Sequence, residues 1–175
     1  HHKSADWPDN QPQPLPGWSA EALARLPTYY VMDRGVGMAA TVAPQMPGPA
    51  QVAACAWLPE AELAYYSAEY QRTGFQGGLQ WYRSALSPRT LAEQQLFSGR
   101  RIEVPALFIA GAADWGVYQK PGEFERMQAS ACSRLLGCHR LPGAGHWVQQ
   151  EQPAAVIRLL LDFLATAAAP TDALV

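Results

Sequence analysis

The chain has 175 residues, 49% of them hydrophobic, which suits one globular domain with a core that excludes water. A net charge of −2, with 13 Lys and Arg scattered apart from the Arg100–Arg101 pair, offers no basic stripe and so argues against nucleic-acid or anionic-membrane partners. The longest apolar stretch, Val156 to Leu164, is broken by Arg158 and Asp162 and is too short to span a bilayer, and Cys55, Cys132 and Cys138 form neither an even disulfide set nor a CxxC pair.

The cysteine pattern points to reduced thiols in a cytoplasmic protein, with no metal site and no cofactor expected. The opening "HHKSADWPDN" is abrupt, its His pair being either tag residue or native sequence. Residues 1 to 50, with "DNQPQPLPGW" and "APQMPGPA", read as irregular, mostly helical material in which Ser19 caps "AEALARL". From Pro59, "PEAELAYYSAEYQRTG" places Leu63, Tyr66 and Tyr70 at helical spacing and ends on Gly74, which delivers "GFQGGLQWYRS".

A capped helix is expected from Ser87 to Phe97, followed by "VPALFIAG", residues 104 to 111, a short apolar run suited to a strand buried on both faces. A helix across "GEFERMQASA" and a shorter strand near Gly137 to Leu141 come next. The last element, Gln152 to about Ala167, carries Val156, Leu160, Phe163 and Leu164 as the apolar face of an amphipathic helix. Helices first, then strand, helix, strand, helix, is the order of an α/β layer in the second half of the chain. Two such strands alone leave apolar faces and unpaired edges in water, so further sheet is expected from a partner.

Two residues stand where chemistry gathers. His146 follows Gly143–Ala144–Gly145, small residues that let the backbone turn tightly and hold an imidazole out from a strand end. Asp114, in "LFIAGAADWGVY", lies just past the first strand, where catalytic groups of open α/β sheets collect. An acid there and a histidine after the next strand are placed to meet as orienting carboxylate and base. "AADWG" also has the form of a nucleophile elbow, but Lys120–Pro121 follow closely and no further acid at a strand end precedes His146, so the orienting role is favoured. Taken alone, His146 is as readily a surface or packed loop histidine, and Asp114 more readily a plain turn residue; it is their pairing that raises Asp114.

The arrangement of strand, Asp114, helix, strand and "GAGHWVQQEQP" resembles the C-terminal end of the α/β-hydrolases, and "RTGFQGGLQWYR" resembles the cap segment of their epoxide hydrolase branch. The resemblance covers the whole chain and implies a fold of two last parallel strands with flanking helices, residues 87–175, behind a helical cap segment, residues 1–86. It implies that Tyr82 hydrogen-bonds the epoxide oxygen as the ring opens and that Arg83 secures the cap. Tyr29 and Tyr30 in "LPTYYVMD" are available as a second cap tyrosine, but the matching family position falls upstream of residue 1.

The implied reaction opens a small apolar epoxide to a vicinal diol through an alkyl-enzyme ester, with His146 activating water and Asp114 orienting His146. The family's nucleophilic aspartate elbow and its HGxP-type oxyanion loop do not occur before the cap, and no GxSxG or GxCxG exists in the chain. The expected partner is therefore an N-terminal half of the same hydrolase, as a separate or cleaved chain; homo-oligomerisation is left open. A haloalkane or haloacid dehalogenase or a serine esterase of the same fold, or a non-catalytic hydrolase-like binding subunit, are the alternatives, separated by the residue at the elbow. Trp57, Tyr66, Phe75 and Trp81 suit an apolar pocket or the packing of the cap itself.

Overall fold

A computed structural model describes residues 3–7, 10–85 and 87–168. The His1–His2 pair and Leu86, on which the expected cap boundary falls, lie outside the described residues. Two compact units emerge, residues 1–50 with 101–175 and residues 51–100.

In the unit of 51–100, α3 (Pro49–Ala54) runs in and is followed by α4 (Glu60–Thr73), α5 (Gln76–Ala85) and α6 (Pro88–Gln95). Pro59 stands at the N-cap of α4, and Gly74, at φ 67°, ends it with a left-handed residue. Ser87 caps α6 through the Thr90 N–H, as expected. The segment "QGGLQWYRSA", not assigned to an element from sequence, is helix α5 despite its two glycines. Cys55 is the one buried residue among those described in this unit. Tyr66, Phe75 and Trp81 are exposed rather than core, and Tyr70 stacks on Phe75 with ring centroids 4.5 Å apart. A helical unit with so many aromatics in the open has apolar surface that water disfavours.

The other unit contains α1 (Ala20–Leu23), capped by Ser19, and α2 (Met38–Val42). It continues through β1 (Ala106–Gly111), α7 (Glu123–Arg126), β2 (Leu135–Leu141), α8 (Val148–Glu151) and α9 (Pro153–Ala168). The two strands pair in parallel from Ala106↔Leu135 to Gly111↔Leu141, with a register shift after Ala106. A parallel pair needs a crossover, and α7 with the wide π turn Met127–Ala131 supplies it.

Two apolar groups lie about this ladder. Phe108 on β1 meets Phe124 at 5.5 Å between centroids, and Tyr118 meets Phe124 edge-on at 5.9 Å. Leu15, Leu26 and Trp115 form a second cluster, with Leu23 and Tyr30 packed against it.

The expectation of a strand buried on both faces is corrected. Only Ala110 and Gly111 of β1 are buried, because β2 is its one strand neighbour among the described residues. The face of α9 also differs from the periodicity reading: Val156 is buried, while Leu160 and Leu164 are exposed. A helix buries only the face that has something to cover it, and a two-stranded sheet covers little. Among the described residues, no helix is long and apolar enough to cross a membrane.

Candidate active site

Both sequence-selected polar residues stand on loops that leave the same ends of the two strands. β1 stops at Gly111, and the loop after it is tied to the loop after β2 by backbone bonds from Ala112 N–H to Leu141 O (2.8 Å) and Ala113 N–H to Ala144 O (3.0 Å). Gly111 is glycine because a Cβ there would run into the carbonyl oxygens of Ala144 and Gly145. Gly143 turns the second loop at φ 70°, a conformation costly for a residue with a side chain. Arg140 reinforces the junction, donating to the Ala112 carbonyl at 3.0 Å and to the Tyr118 hydroxyl at 2.7 Å.

This lacing brings Asp114 and His146 together. Imidazole Nδ1 lies 3.2 Å from both carboxylate oxygens of Asp114. A carboxylate only accepts, so Nδ1 carries the proton and Nε2 is the basic nitrogen. Trp147 stands edge-on to the imidazole, with ring centroids 5.0 Å apart. The His146 side chain is 37% exposed against 14% for Asp114, so the imidazole is open to water while the carboxylate is largely sealed.

Asp114 is held from other sides as well. It caps a single 3₁₀ turn, Trp115–Val117, by accepting the Gly116 N–H at 2.7 Å, and Trp115 is buried in the apolar cluster. The helix that an elbow would require behind Asp114 is thus one short turn. Tyr30, available from sequence as a cap tyrosine, instead donates its hydroxyl to Asp114 Oδ1 at 3.3 Å. Tyr29 donates to Asn10 Oδ1 at 3.0 Å, and Lys3 Nζ stands 4.9 Å and 5.0 Å from the centroids of the Tyr29 and Tyr30 rings.

These contacts set the charges. Burial pushes the Asp114 carboxyl up, but the His146 hydrogen bond, the Gly116 N–H, the His146 charge and the Tyr30 hydroxyl outweigh it and hold the group below its usual range. Burial and then the negative charge of Asp114 raise both the Tyr29 and Tyr30 phenols, so Tyr30 stays a donor. Burial lowers Lys3 against the opposing pull of Asp114.

A carboxyl whose folded pKa is depressed stabilises the fold above its ordinary value of 3.8 and loses that contribution as pH falls through the lowered value. Thermal melts at stepped pH should therefore show wild-type stability falling more steeply below about pH 4 than that of Asp114→Asn. Parallel curves would mean that Asp114 gains nothing from its neighbours.

Tyr82, the third sequence candidate, lies on α5 in the unit of 51–100 and is 70% exposed. Arg83 beside it donates to Gln76 Oε1 at 2.7 Å, a bond within the same helix. The Tyr30 contact was missed because residues 84 positions apart share no local pattern. Trp115 gave no signal beyond being a large apolar residue next to the acid.

No family model matches the chain. It is 41% identical to epoxide hydrolase A of Mycobacterium tuberculosis over 123 residues, which are 69% of this chain and 35% of the relative. It is 34% identical to epoxide hydrolase 2 of Siraitia grosvenorii over 113 residues, 62% of this chain and 35% of the relative. Among solved structures, an epoxide hydrolase from an endophytic Streptomyces superposes with a TM-score of 0.64 at 36% identity, covering 74% of this chain and 38% of that one. A laboratory-evolved variant of potato epoxide hydrolase gives 0.59 at 32% identity, covering 70% and 39%. The chain thus spans about a third of the length of the curated relatives it matches.

Proposed function

Because the chain belongs to the α/β-hydrolase superfamily and is similar to its epoxide hydrolases, we propose that it carries the water-activating part of an epoxide-opening site. The observation that supports this most is the Asp114–His146 pair, 3.2 Å apart on loops after two parallel strands. The substrate is a small apolar epoxide and the product a vicinal diol.

In the proposed reaction an aspartate from outside residues 1–175 attacks the less hindered epoxide carbon. The C–O bond breaks, an alkyl ester forms, and Tyr82 hydrogen-bonds the departing oxygen as negative charge builds on it. His146 Nε2 then takes a proton from water, and the resulting hydroxide adds to the ester carbonyl. Collapse frees the diol as the imidazolium returns its proton to the leaving alkoxide, and the proton of the carboxylic acid so formed passes to the oxygen that Tyr82 holds, which restores the carboxylate and completes the second hydroxyl. Asp114 keeps the imidazole in the Nε2-basic tautomer and stabilises its charged form. Its engagement by Gly116, Tyr30 and His146 favours this orienting role over an attacking one. We assign residues 1–86 to the cap and 87–175 to the end of the hydrolase core, and the elbow to an N-terminal portion of the same hydrolase.

The test compares diol formation from an aryl epoxide with halide release from a haloalkane, in the intact enzyme that contains this chain. Tyr82→Phe should slow diol formation by roughly a hundredfold, the cost of losing one donor to a developing oxyanion. A mutant as fast as wild type would remove Tyr82 from the mechanism, and halide release without diol would replace the reading with a dehalogenase.

A further inference from the structure

Glu151 is the acidic residue of "GAGHWVQQEQP", and the proposed reaction leaves it without a task. Its carboxylate is committed. Oε2 accepts the Gly145 N–H at 3.0 Å and the Ala5 N–H at 2.8 Å, while Oε1 accepts the Trp147 N–H at 3.1 Å. The N–H between these, that of His146 itself, donates to the Lys3 carbonyl at 2.8 Å. Three consecutive backbone donors on either side of and at the histidine are thus all satisfied, two of them by one charged group.

We infer that Glu151 is the positioning residue for His146, its carboxylate clamping the backbone of residues 145–147 so that the imidazole stays on Asp114. A run of successive N–H groups forms a concavity suited to an anion. Hydrogen bonds to an ionised acceptor are roughly twice as strong as neutral ones. The clamp is local on one side, since Glu151 closes the short helix α8 whose N-cap is Trp147 and returns to the N–H of that same residue, much as in a capping box. On the other side it is long-range: residues 3–5 are strapped across the loop by a reciprocal pair, Ala5 N–H to Glu151 and His146 N–H to Lys3 O.

The histidine needs such support because its bond to Asp114 has little slack. At 3.2 Å to each oxygen, a loop displacement of about 1 Å carries Nδ1 out of hydrogen-bond range. Glu151 touches no reacting atom in this scheme and acts through His146. The inference takes His146 as the site's base from the functional reading above, but its test requires no turnover, so the two fail separately.

The experiment is NMR on the intact, 13C- and 15N-labelled enzyme that contains this chain, as wild type, Glu151→Ala and Glu151→Gln. Hydrogen exchange is followed at the amides of Gly145, His146 and Trp147, and the Asp114 carboxyl is titrated. Glu151→Ala should speed exchange at these amides by on the order of tenfold or more. It should also move the Asp114 midpoint upward, because the carboxyl keeps its burial but loses the aligned imidazole. Glu151→Gln, with one neutral acceptor in place of two charged ones, should fall between the two. If Glu151→Ala does not fold, the same readouts on Glu151→Gln decide. A folded variant with wild-type exchange at 145–147 and an unmoved Asp114 midpoint overturns the inference.

Discussion

Replacing His146 with Gln should leave an enzyme that reacts once and stops. In the proposed scheme the imidazole acts only after the ring has opened, so alkylation of the nucleophilic aspartate proceeds while hydrolysis of the ester loses its base. Turnover should fall by roughly a thousand- to ten-thousand-fold, the range for removing a general base from such a triad. Intact-protein mass spectrometry after incubation with epoxide should show a gain equal to the whole substrate, since ring opening expels no leaving group. Fast turnover with no adduct would show that His146 is not the base. The choice of Gln removes the basic nitrogen while retaining a polar side chain of similar reach beside Asp114.

The second large effect is on the fold. Gly111→Ala would press a methyl group against the carbonyl oxygens of Ala144 and Gly145, and Ala144 is fully buried. Backbone cannot swing aside as a side-chain tip can, so the two loops must separate. The penalty should reach about 3 kcal/mol, the upper part of the usual overpacking range. For a chain of this size that lowers Tm by roughly 6–12 °C. The same separation would pull His146 away from Asp114, so scanning calorimetry and the Asp114 carboxyl titration should shift together. A variant that melts like wild type would mean that the loops after β1 and β2 are not laced as described.

What could be read from the sequence was what short range determines. Ser19 and Ser87 cap the helices they precede, and Gly74 ends α4, because each effect involves neighbours within four residues. The two strands were legible as apolar runs between turn residues, and Asp114 and His146 followed from their place after strand ends. The two-glycine helix α5 was not legible, since glycine lowers helix propensity. Burial was overestimated: periodicity gives α9 an apolar face, but the elements available to cover it decide which of its residues leave water. Tyr30 on Asp114, and Lys3 and Ala5 on the histidine loop, are products of chain closure over 84 to 146 positions, which no spacing rule reaches.

The proposed ester intermediate is tested most directly by a single turnover in water enriched in 18O, with enzyme in excess over epoxide. In the proposed scheme the oxygen added to the diol comes from the nucleophilic carboxylate, and the label enters the enzyme when His146-activated water attacks the ester. The first diol formed should therefore be unlabelled, and the labelled aspartate should be found by peptide mass spectrometry. A first-turnover diol that carries 18O would mean that water attacks the epoxide directly and would contradict the account.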